Sequence, residues 1–512
     1  MRKKFFKKTL ALFLASVTLA SSVAGCGNSE SSKTTTTTTT SRFVNAIETE
    51  ISIDTSTTYQ TITGFGASGA WWSQIVGGWV SEQSNGLTSR EYIAQLLFDE
   101  ENGIGLDIYR YNLGGGSAEM EDTGISDVWR RAYSFVSDTD STEYDWSKDE
   151  NAIWFVEKAA EYSLDQIIVF ANSPIASLTI NGHAYGDATS TSGRTTTSNL
   201  AEENYEAYAD YYLDVIEHFI EEGYPITEIS PINEPQWEWT GGQEGCHYTA
   251  DEVVALLKVF LAKMEERGLL DTIKLSAPEG GEWGNTENVY TTAIFSDETL
   301  AAYYAKVGYD CHSYWSDTAQ KRSFLNLLDS LGYGDITLNE TEWCEMVNGT
   351  DYTMDSALNL VEIMNEDLTL LNVASWQYWI AVSCYTYRDG LIYVTKTNEV
   401  IVPYKRLWAM GNYSRYIDPG YVRVDTDFGT SISGSAYTGN NGESDELVIV
   451  LINDTTYDRS VDISDYIAEY GSSVGVYVTD EDHNLEDVTS EFVDGSKVLL
   501  GGNSVTTIVL TK

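Results

Sequence analysis

Between about residues 60 and 400, short β-like runs alternate with amphipathic helical stretches, and this alternation restricts the fold more than any other feature of the chain. The strand candidates lie at 61–68, 105–114, 166–173, 227–234, 272–278, 306–314, 335–342 and 373–382. Several are apolar in the middle and turn polar or charged at the C-terminal end. Helical patterns such as 202–223 and 250–268 lie between them; in the second, Val253, Leu256, Leu257, Phe260 and Leu261 recur at the helical interval. Strands interleaved with helices in this number predict an α/β fold, a (β/α)8 TIM barrel over residues 61–405. A doubly wound sheet would produce part of the same pattern.

After residue 406 the helical period largely fades. Short alternating strands with turn signals run to residue 512 and predict an all-β sandwich. Residues 43–60 are also β-like and are expected to join it. The N-terminus has another character. A basic MRKKFFKK run, the apolar LALFLASVTLA and the sequence VAGC make residues 1–25 read as a secretion signal, with an apolar run too short to cross a bilayer. VAGC looks like a bacterial lipobox, which makes Cys26 a lipid anchor and 26–42 a flexible Ser/Thr-rich linker. The expectation is an extracellular, cell-surface lipoprotein that touches a bacterial membrane only through that anchor. An ordinary cleaved signal with an incidental cysteine is the plainer alternative.

A net charge of −48 argues against nucleic acid, whose phosphates attract the opposite sign. The chain holds 14 Trp and 34 Tyr, and amphipathic rings suit the apolar faces and polar rims of sugars, although most will simply pack the core. Cys246, Cys311, Cys344 and Cys384 permit three pairings, and spacing chooses none of them. No CxxC pair occurs, so no structural zinc is expected.

In a barrel of this kind, reactive residues stand at the C-terminal strand ends. The fourth predicted strand ends SPINEPQW, with Asn233 and Glu234 at its tip; the seventh ends NETEWCEM, with Glu342 there. Their separation, 342 − 234 = 108 residues, is three βα units of about 36 each. Two carboxylates thus point into one mouth from opposite sides. Glycoside hydrolysis needs such a pair, one carboxyl holding a proton for the leaving oxygen and the other ionised to attack the anomeric carbon. Asn233 is placed to donate to a sugar 2-hydroxyl. Alone, the NEP triplet is equally a helix start with Pro235 in the first turn.

FGASGAWW, ANSP, SPINEPQWEW, GQEGCHYT, HSYW, TEWC, WQYWIAVSCYTYRDGLIY and MGNYSRYIDPG, in this order over about residues 50–512, together resemble glycoside hydrolase family 30. The resemblance implies a (β/α)8 barrel with a side β-sandwich built from both chain ends, and retaining hydrolysis with Glu234 as acid/base and Glu342 as nucleophile. Glu340 competes for the second role, because residues two apart on a strand share a face; the TEW context favours Glu342. Arg110 is expected to hold the nucleophile ionised, Tyr314 to orient it, and His312 to stand beside them or in the core. Trp376 resembles the floor of the sugar subsite at the reacting bond. Trp72, Trp237 and Trp71 are candidate sugar platforms, and Asn172 lines the site. One departure stands out: many members carry an aromatic near position 177, where this chain has Ser177 within SPIASLT (173–179).

SPINEPQWEW with GQEGCHYT most resembles the branch that cleaves β-1,6-galactan side chains of arabinogalactan; glucuronoxylan- and xylobiose-releasing xylanases are the nearest rivals. A non-catalytic carbohydrate-binding lipoprotein is the reading of another class. The partner expected is a polysaccharide or oligosaccharide, with no nucleic acid, no metal and no organic cofactor, and a monomeric enzyme.

Overall fold

The computed structural model describes residues 42–120, 123–136, 143–186, 198–285, 287–471 and 473–512. The signal, Cys26 and all but the last residue of the linker therefore lie outside the described residues. Strand β1 (Ser52–Thr61) is followed by the parallel strands β2 (Gly64–Ser68), β3 (Ile108–Asn112), β4 (Gln166–Phe170), β5 (Ile226–Ser230), β6 (Lys274–Leu275), β7 (Pro278–Gly280), β8 (Tyr309–Cys311), β9 (Leu338–Glu340) and β10 (Ser375–Tyr378). They form a six-stranded parallel sheet in the order β10-β2-β3-β4-β5-β6 and a three-stranded parallel sheet in the order β9-β8-β7.

This corrects the expectation of one uninterrupted eight-stranded ladder. The fifth predicted strand is split into β6 and β7 by Ser276 and Ala277, and Pro278 has no N–H to contribute. On the other side, β9 runs beside β10 through isolated parallel bridges, Leu338 to Val373 and Trp343 to Tyr378, with Ala374 N–H donating to Leu338 O at 2.8 Å. The strands buried on both faces carry near-continuous apolar runs, as parallel strands covered by helices do.

Helix α1 (Tyr205–Glu221) and helix α2 (Ala250–Glu266) pack outside the sheet. In α2 the residues at the helical interval, Val253, Leu256, Leu257, Phe260, Leu261 and Met264, are the buried face. Thr249 and Glu252 close its N-terminus reciprocally, Glu252 Oε2 accepting from Thr249 N–H at 2.7 Å and Thr249 Oγ1 accepting from Glu252 N–H at 3.3 Å.

The C-terminal strands are antiparallel. With β1 they include β11 (Val422–Asp427), β12 (Ser433–Asn440), β13 (Asp445–Asn453), β14 (Arg459–Asp462), β15 (Ser473–Thr479), β16 (Asn484–Asp487), β17 (Lys497–Leu500) and β18 (Ser504–Thr511). A seven-stranded sheet runs β1-β11-β12-β13-β18-β15-β16, and a four-stranded sheet holds Ile47–Glu48, β14, β17 and Val493–Asp494. The alternation within β13 explains the layering. Val448, Val450 and Ile452 join the core of the helix-bearing half, whereas Leu447, Ile449 and Leu451 join a second core beneath the smaller sheet. One strand thus seals two cores.

Candidate active site

Glu234 and Glu342 stand just past the C-terminal ends of β5 and β9. The separation of one carboxylate oxygen on each, and of His312 from both, is no more than 4.8 Å. Glu342 is held from three directions. Arg110, on β3, donates from Nη1 to Glu342 Oε2 at 2.8 Å, and the Tyr314 hydroxyl donates to Oε1 at 3.1 Å. His312 Nδ1 lies 3.6 Å from the same Oε1 and 3.8 Å from Glu234 Oε1. Glu234 has lighter support, the Trp237 indole N–H donating to its Oε1 at 3.3 Å.

The backbone also converges here. Glu234 has a φ of 41° and Glu279, next to Gly280 at the tip of β7, has 56°, both in the left-handed region that non-glycine residues rarely adopt. Glu234 N–H donates to Glu279 O at 2.8 Å, so one loop tip fixes the other. Gly281 must be small: a Cβ there would stand 2.6 Å from Glu234 Oε1 and 2.5 Å from the Gln236 amide.

The Glu342 carboxyl is raised above its ordinary range: burial pushes it up most and the neighbouring Glu234 carboxylate adds to that, while the His312 imidazolium and Arg110 guanidinium offset part of the rise. Arg110 and Tyr314 both donate to Glu342, and such donors favour its charged form against the burial that opposes it. Burial alone would lower His312, yet the carboxylates of Glu342, Glu234 and Glu279 outweigh that and raise the imidazole to about 10. His312 is thus a cation at neutral pH.

Asn112, at the end of β3, and Asn172 and Asn233, beyond β4 and β5, form an amide ladder. Asn172 Nδ2 donates to Asn112 Oδ1 at 3.0 Å and Asn233 Nδ2 donates to Asn172 Oδ1 at 3.1 Å. Arg110 Nη2 donates to Asn233 Oδ1 at 3.5 Å, which fixes that amide with its N–H side away from Arg110. Trp237 is 44% exposed at the rim. Glu340 is fully buried, one oxygen accepting from Gln377 N–H at 2.9 Å, and burial pushes its carboxyl well above the ordinary range. Among the described residues, Glu342 and not Glu340 is the acid clustered with Glu234 and His312.

Two expected sugar contacts are fully buried side chains. Trp72 is fully buried, its indole N–H donating to Ser68 O at 2.9 Å and its ring edge-on to Phe155 at 4.5 Å, so it is core. Trp376 is also fully buried, held by Asp367 Oδ2 at 3.0 Å and packed near Trp343. Trp379 was not among the expected contacts. It stands edge-on to Trp71 at 5.1 Å and to Phe170 at 6.4 Å, and the Arg110 guanidinium lies 3.7 Å over that Phe170 ring. Trp315, 52% exposed and edge-on to Trp237 at 5.9 Å, and Glu279 were also missed. Among the described residues, Cys246, Cys311, Cys344 and Cys384 are free thiols.

The profile of O-Glycosyl hydrolase family 30 matches residues 48–308 and 329–393. The chain belongs to this family. It is a glycoside hydrolase acting on a polysaccharide substrate. An endo-beta-1,6-galactanase from Hypocrea rufa is 23% identical over 435 residues, covering 79% of this chain and 81% of that protein. The glucuronoxylanase XynC of Bacillus subtilis is 24% identical over 331 residues, 62% of this chain and 69% of the enzyme. A conserved exported protein from Bacteroides fragilis shares the fold with a TM-score of 0.76 and 24% identity, over 90% of this chain and 99% of its own.

Proposed function

We propose that this family 30 hydrolase works by double displacement with retention, Glu342 attacking the anomeric carbon while Glu234 protonates the leaving oxygen and then activates water. The observation that carries the proposal is the approach of the two carboxylates to within 4.8 Å, the short spacing of retaining rather than inverting pairs. Asn233 donates to the 2-hydroxyl, and Trp237, Trp71 and Trp379 offer rings to the sugar chain. The two parallel sheets act as one (β/α)8 barrel with two interrupted seams, split as domains at residues 61–405 and 406–512, with 43–60 joining the sandwich.

The substrate proposed is the β-1,6-galactan side chain of arabinogalactan, supported by likeness to an endo-β-1,6-galactanase over most of both chains. The enzyme is proposed to work at a bacterial cell surface, secreted by residues 1–25, anchored through Cys26 and monomeric. The test incubates residues 43–512 with β-1,6-galactan, arabinogalactan, glucuronoxylan and β-1,6-glucan, and sizes the products. Short galacto-oligosaccharides from the first two support the reading, whereas products from glucuronoxylan alone transfer it to the xylanase alternative. Binding without cleavage by wild type and Glu342→Gln alike leaves only the carbohydrate-binding role.

A further inference from the structure

Glu279 is completely buried and touches no exposed surface, yet the groups around both catalytic acids meet at it. Its backbone oxygen accepts from Glu234 N–H at 2.8 Å. Its Oε2 lies 3.2 Å from His312 Nε2 and 3.7 Å from Arg110 Nη2, the two cations that face Glu342. Its Oε1 accepts from Ser230 Oγ at 2.9 Å and Ser276 Oγ at 2.7 Å, and Thr341 Oγ1 donates to Oε2. An ordinary core carboxylate has no need of so many donors from four strand ends. We infer that Glu279 is a positioning residue, the fixed counter-ion that keeps His312 and Arg110 both charged so that Glu342 stays ionised while Glu234 keeps the proton.

Charge balance supports this. With Glu279 and Glu342 ionised and Glu234 protonated, two negative charges meet the positive charges of Arg110 and His312. When Glu342 has bonded to the sugar and Glu234 has given up its proton, the count is again two against two. A water-poor site disfavours any net charge, so Glu279 leaves the proton free to move without uncovering one. The other titratable neighbours leave the balance alone. Glu287 is pushed up to about 8 by burial and hydrogen-bonded by Tyr309, and Glu340 is raised well above the ordinary range, so both are neutral. Deeper in the sheet Lys274 pairs with Asp310 at 2.6 Å and Glu228 at 3.2 Å.

The inference rests on Glu234 and Glu342 being the reacting pair, and its test reads His312 without needing turnover. The chain has five histidines. The His312 imidazole signals in nitrogen-resolved NMR are assigned by their loss in His312→Asn and followed from pH 5 to 10. In wild type, His312 stays protonated through pH 8. In Glu279→Gln it titrates about one to two units lower, because one anion has gone, and kcat on β-1,6-galactan falls about 100-fold with KM little changed. Glu279→Asp, which keeps the charge, restores the His312 titration. A His312 titration unmoved in Glu279→Gln overturns the inference. Should that variant not fold, an ordinary titration near pH 6.5 in wild type overturns it equally. Failure of wild type to cleave any polysaccharide defeats the proposed function and leaves the His312 readout standing.

Discussion

In the proposed mechanism two carboxylates of one residue type take opposite tasks, and their donors differ accordingly. Glu342 receives Arg110 and Tyr314, donors that favour its charged form; Glu234 receives one long indole contact, and the proposed mechanism gives it the acid role. Azide separates the roles. In Glu234→Ala it should attack the glycosyl-enzyme and give a β-glycosyl azide, and in Glu342→Ala it should enter the vacated face and give the α product; the same anomer from both variants would refute the assignment. Tyr314→Phe removes a donor that favours the ionised form of Glu342, so the nucleophile becomes easier to protonate. The acid limb of the kcat/KM profile should therefore move up, by about half to one unit, and a limb that stays or moves down would contradict this.

Elements aim these side chains, and their legibility in the sequence followed the reach of the local signals. The alternation of apolar runs with helical periods marked every parallel strand to within a few residues, because burial on both faces writes itself into composition. SPINEPQW and NETEWCEM were visible because strand ends carry the chemistry. What escaped was set by geometry between elements. Glu279 lies one residue beyond the predicted fifth strand, and only folding brings it under Arg110 and His312. Trp379 went unremarked because its neighbours Trp71 and Phe170 come from distant parts of the chain. The tip after β7 gives a direct check: Gly281→Ala should displace the Glu234 carboxyl, lowering kcat about 10-fold or more while the melting temperature stays within a few degrees. Unchanged kcat would show that the tip does not position the acid.

At the scale of the whole molecule, the helix-bearing half and the sandwich share β13, and β1 enters from the opposite end of the chain to pair with β11. Neither half closes its core alone. A chain ending at residue 421 should therefore be insoluble or unfolded, and a cooperative melt from it would contradict the shared-core view. Four buried carboxyls, Asp149, Glu228, Glu244 and Glu287, are raised by burial to about 8, 8, 7 and 8. Each binds its proton more tightly folded than unfolded, so its stabilising effect is complete below about pH 4 and disappears as pH rises through 7 to 8. The melting temperature should fall by several degrees between pH 5.5 and 8.5, and a rise across that window would contradict these protonation states.

The central claim is that one sugar bond is broken between two acids close enough for the enzyme itself to attack. Proton NMR of the first hemiacetal released from a β-linked substrate, recorded before mutarotation, reads this directly. The β anomer appearing first is the predicted result; the α anomer appearing first would mean that water, not Glu342, attacks the sugar.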